Sequence, residues 1–70
     1  MRTLYELFTE NYNNDLENYQ YKTLKKLLID ELKKNYYVGD LKLTTLIDIS
    51  GVLKKDISKT IDILYDLKNK

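Results

Sequence analysis

Seventy residues with 12 basic and 11 acidic side chains, a net charge of +1, and neither cysteine nor histidine allow one small domain at most. They exclude disulfides, thiolate or imidazole metal sites, and Cys-His or Ser-His catalytic pairs. Any chemistry left would rest on carboxylates, lysines and tyrosines, so no catalysis, metal or cofactor is expected.

A core of this size is only marginally stabilising, and a homodimer that adds buried surface is expected. No apolar run approaches membrane-spanning length, and "MRTLYELFTE" carries acids where a secretory signal needs an unbroken apolar stretch, so a cytoplasmic location without membrane contact is expected. Residues 1–20 hold Arg2 against Glu6, Glu10, Asp15 and Glu17, whereas residues 21–70 hold eleven lysines against seven acids. The abundance of Lys, Asn, Ile, Tyr and Leu, with no alanine, fits an AT-rich coding sequence of a low-GC bacterium or its phages and plasmids.

Absence of proline, two glycines, and apolar residues three and four apart predict an all-α bundle. Thr3 and Glu6 have the form of a capping box opening a helix over residues 1–12, with Leu4, Leu7 and Phe8 on one face. That face, with Tyr12, is assigned to dimer contacts, or else to the chain's own core. Asn13 and Asn14 suit a turn and Asp15 a cap. Residues 15–35 then form one core helix, or a pair meeting near Tyr21 to Thr23, with Leu16, Tyr19, Leu24, Leu27, Leu28 and Leu32 as its apolar stripe and Lys33-Lys34 favouring its C-terminal end. "YYVGDLKL" breaks the period and reads as a loop or very short strand. "TTLIDIS" predicts a brief helix stopping at Gly51, and the closing segment a final helix burying Ile57, Ile61, Leu64 and Leu67. The sum is four helices, or five if the second is split.

A helix-turn-helix needs a short helix, a corner residue, an aliphatic plug and a second helix. Leu46 to Ser50, Gly51, Val52, and Ile57 with Ile61 supply these in order. The string "LIDISGVLKKDISKTI" resembles the DNA-reading helix-turn-helix of lac-repressor-type and Cro-type regulators over residues 43–61. "LLIDELKKN", a polar break, "LKLTTLIDISG" and the last helix are similar to the three-helix order of winged-helix regulators, here in a wingless version. Ile47 stands where these motifs carry alanine, and Leu53 where a Ser, Thr or Asp caps the second helix. The resemblance places the helix-turn-helix over residues 43–68.

The resemblance implies a small regulator binding double-stranded DNA. Lys54, Lys55, Ser58 and Lys59 would face the major groove or its phosphates, Thr44 and Thr45 would bond a phosphate, and Ile57 and Ile61 would face inward. Asp56 would accept from a cytosine amine or repel the backbone. Asp48, Asp62 and Asp66 read as solvent-facing charges, and the seven tyrosines as half-buried packing or a protein interface rather than a stacking platform. The alternative reading is a helical adaptor or inhibitor docking on a partner protein. A third keeps DNA binding but places it in replication or plasmid partition.

Overall fold

The computed structural model describes residues 2–69, which form four α-helices and no strand. The first, α1, spans Leu4–Glu17, and its start is built as the sequence predicts. Thr3 is extended, and its hydroxyl accepts from the Glu6 amide at 3.2 Å. Arg2 pairs with Glu6 at 3.6 Å and also with Glu10, so acids and a cation brace the first turns.

The helix does not stop at residue 12, and Asn13, Asn14 and Asp15 lie inside it rather than in a turn and cap. A kink at Tyr12 (φ −129°, ψ 25°) interrupts the helical backbone just before Asn13 and Asn14. Continuation wins because Asn11, Asn13 and Asn14 face solvent, while Leu16 is fully buried and draws the second half onto the core. Asn11 meanwhile donates its amide to the Leu7 carbonyl at 3.1 Å, a local bond that a helix tolerates.

The chain turns at residues 18–21, with Asn18 N–H donating to the Asn14 carbonyl and Tyr19 N–H to that of Leu16. The second helix, α2, therefore runs only over Lys22–Lys34. Splitting residues 15–35 adds no fifth helix, since α1 absorbs their first part. In "YYVGDLKL" there is no strand but one 3₁₀ turn, Val38–Asp40; Val38 and the following Leu41 are buried, and Tyr36 and Tyr37 before it are exposed.

The third and fourth helices, α3 (Leu43–Leu53) and α4 (Ile57–Lys68), complete the bundle. One core gathers Leu4, Phe8 and Leu16 from α1, Leu28 and Leu32 from α2, Ile49 and Val52 from α3, and Leu64 and Leu67 from α4. Because α1 packs on α2, α3 and α4 alike, Leu4 and Phe8 are spent inside the monomer. The expectation that this face makes dimer contacts is thereby corrected: burying it internally removes its apolar area from any interface. On α4 the inward register is also shifted. Ile57 is 36% exposed and Ile61 half-buried, while Thr60 occupies the core position with its hydroxyl donating to the Asp56 carbonyl at 2.8 Å. A buried hydroxyl so partnered costs little.

Candidate nucleic-acid interface at the α3–α4 corner

Two helices joined by three residues do occur where the sequence places them, but the corner is not at Gly51. That glycine has ordinary helical backbone inside α3. A Cβ built on it would stand 3.3 Å from the Tyr19 hydroxyl, so its use is to let the α1–α2 turn approach. Leu53 ends α3 half-buried and caps nothing, and Ile47 is 48% exposed, so its branched side chain does not wedge the helices apart.

The turn is made by Lys54, at φ 57° and ψ 42°. Ser50 accepts at its carbonyl from Lys54 N–H and from Lys55 N–H, the latter at 3.1 Å, which closes α3 with a six-to-one bond of the Schellman kind. Asp56 then opens α4, its carboxylate accepting from the Lys59 amide at 2.7 Å. This cap was open to discovery in the sequence, as an aspartate directly before the isoleucine that begins a regular apolar spacing. One carboxylate oxygen is thus committed to the helix start instead of standing free for a cytosine amine.

A lysine in the left-handed region costs about 1–2 kcal/mol relative to ordinary backbone, and a glycine avoids that cost. Lys54→Gly is therefore expected to raise stability by about 1 kcal/mol in urea unfolding. A destabilised Lys54→Gly variant would mean that the corner lies elsewhere.

Of the six residues expected to meet DNA, four come together. Lys54 and Lys55 lie in the corner, not on the last helix, and Ser58 and Lys59 follow in its first turn, all exposed. Among the described residues, none of these three lysines takes part in an ion pair. Thr44 is exposed at the opposite end of α3, about 15 Å away along the helix axis. Thr45 is only 6% exposed and belongs to the core, so its hydroxyl does not serve a phosphate. The positive surface is short, for Asp62 and Asp66 are exposed further along α4.

Beside the corner lies a cleft of about 390 Å³ walled by Asp15, Tyr19, Tyr21 and Lys54. Burial pushes the Tyr19 phenol above its ordinary value, with Asp48 and Tyr21 adding to the shift, so it stays protonated and able to donate. Among the described residues no helix is long and apolar enough to cross a membrane. Comparison with protein-family models, curated proteins and solved structures returns no match.

Proposed function

We propose that this chain is a small regulator that binds double-stranded DNA through α3, the Lys54-Lys55-Asp56 corner and α4. The observation that carries the reading is the exposed set Lys54, Lys55 and Lys59 beside Ser58, in the corner and first turn of a capped helix and outside any ion pair among the described residues. Cations on a rigid helix start can reach phosphates and base edges together. Thr44, at an α3 N-terminus with no side-chain cap, offers a further phosphate contact through its amide and hydroxyl. A homodimer would double a short site, with its contact supplied by a surface other than the buried face of α1. The composition favours a phage, plasmid or low-GC bacterial origin, and a role in transcription, replication or partition fits the same surface.

The test is titration of the protein into duplex DNA carrying its own upstream region and into random duplex, at low and near-physiological salt. Three lysine-phosphate contacts per subunit give a slope of log K against log salt near −3, roughly −0.9 per phosphate. Tighter binding to the upstream duplex is the expected result, and absence of binding to either duplex at low salt would reject the reading.

One observation favours a second reading, a helical module that docks on another protein. Leu24, Leu27, Leu43 and Ile47 are all exposed, between 38% and 63%, away from the corner. Large apolar side chains left outside by a chain with so little core area mark an interaction surface.

A further inference from the structure

Leu24 and Leu27 line a groove whose charges state what it would accept. On α2 the spacing that buries Leu28 and Leu32 leaves Leu24 38% and Leu27 58% exposed on the flank toward α3. On α3 the core positions are Thr45, Ile49 and Val52, which leaves Leu43 and Ile47, one turn apart, at 63% and 48% exposure. Between the two helices runs a groove of about 470 Å³, with Leu24 and Leu27 on its α2 side and Thr44 and Asp48 on its α3 side.

The helices run antiparallel. Gly51, near the end of α3, faces Tyr19, just before α2 begins, while Lys42 and Lys34 line the groove at the other end. Along α2, Asp30 and Glu31 fall between Lys34 and the leucines, while Asp48 on α3 stands level with Leu27. Among the described residues, none of the three carboxylates is in an ion pair. The α2 wall is thus apolar at one end, negative in the middle and positive at the far end, and Asp48 adds a second negative charge beside the leucines.

That order opposes a second copy as the occupant. A two-fold axis through the groove sets the acidic middle of one copy against the acidic middle of the other, and like charges brought together oppose association. We propose that the groove docks an amphipathic helix of a partner protein, bearing an apolar stripe flanked by lysine or arginine. Paired antiparallel helices present a trough that accepts a third helix, and Leu24 and Leu27, three apart on α2, meet an apolar stripe of helical spacing. Basic flanks on the incoming helix satisfy Asp30, Glu31 and Asp48, which the chain's own lysines leave unmatched. This proposal rests on the protein-docking reading; it shares Thr44 with the DNA-binding reading and none of the corner lysines.

The test uses synthetic amphipathic peptides of about five turns, long enough to be helical alone, with one leucine stripe and lysine, glutamine or glutamate at all other positions. Binding to the full chain is read by fluorescence anisotropy. The lysine peptide is expected to bind at least tenfold more tightly than the glutamine peptide, and the glutamate peptide not at all. Leu27→Lys and Asp30→Lys each weaken it tenfold or more. Asp62→Lys, the same charge change on the exposed side of α4, leaves it within twofold. Equal binding of the glutamine peptide overturns the basic partner while leaving the docking surface in place. An Asp62→Lys loss matching that of Asp30→Lys overturns the groove as the site. No binding of any peptide overturns both this proposal and the docking reading. Sedimentation that shows a dimer abolished by Leu27→Lys assigns the groove to a second copy and overturns the proposal.

Discussion

Phe8→Ala is expected to remove a large part of the domain's stability. Phe8 is 0% exposed, is the chain's one phenylalanine, and lies 5.4 Å, centroid to centroid, from the Tyr12 ring at the kink of α1. Removing a buried aromatic costs about 3–5 kcal/mol through lost transfer energy and the cavity left behind. A chain of this length holds roughly 4–10 kcal/mol in total. Alanine is the best helix former, so the loss reflects packing rather than propensity.

Circular dichroism melts should show a midpoint lowered by at least about 15 °C, if a folded baseline survives. Leu27→Ala, on the α2 stripe but 58% exposed, should shift the midpoint by only a few degrees. A Phe8→Ala midpoint close to that of the parent would mean that α1 is not docked on the other three helices.

The contrast between those two residues shows how far the sequence was legible. Three-and-four spacing identified every helix, and the Thr3-Glu6 pattern placed the first cap, because both are local properties of neighbouring side chains. Spacing also marked Leu24, Leu27, Leu28 and Leu32 as one stripe. It does not say how much of a stripe the neighbouring helices cover, and only Leu28 and Leu32 of these four are buried. The exposed remainder is what makes the groove.

Gly51 misled for a different reason. A glycine after a short helix ordinarily signals a positive-φ corner. Here its missing side chain serves Tyr19, from a distant part of the chain, a non-local demand that no window around residue 51 contains. The true corner then fell on Lys54, a residue type that the left-handed region disfavours, so local chemistry gave no sign of it. The six residues singled out for DNA survived this shift unevenly. Moving the corner three residues left Lys54, Lys55, Ser58 and Lys59 adjacent, because corner and first turn are both exposed. Thr45 failed because its position on α3 coincides with the core register of Ile49 and Val52.

Replacing Lys54, Lys55 and Lys59 together by alanine is expected to abolish DNA binding at near-physiological salt while leaving the fold intact. The three side chains are exposed and outside any ion pair among the described residues. Each substitution should therefore change stability by no more than about 0.5 kcal/mol. The Asp56 cap is a bond to the Lys59 amide and survives the change of side chain.

If each lysine contributes about 1 kcal/mol to a phosphate or base edge, affinity falls at least about 100-fold, and the salt slope falls in magnitude by nearly 3. Net charge drops from +1 to −2, three units for three lysines, so a nonspecific loss has to be separated from a local one. The matched control is Lys25, Lys26 and Lys33 replaced by alanine, which changes the charge equally but on α2. A loss confined to the corner variant, with unchanged circular dichroism, ties binding to α3 and α4. Equal loss from both variants would reduce any DNA affinity to bulk electrostatics, and the corner would then be a connection between two core helices.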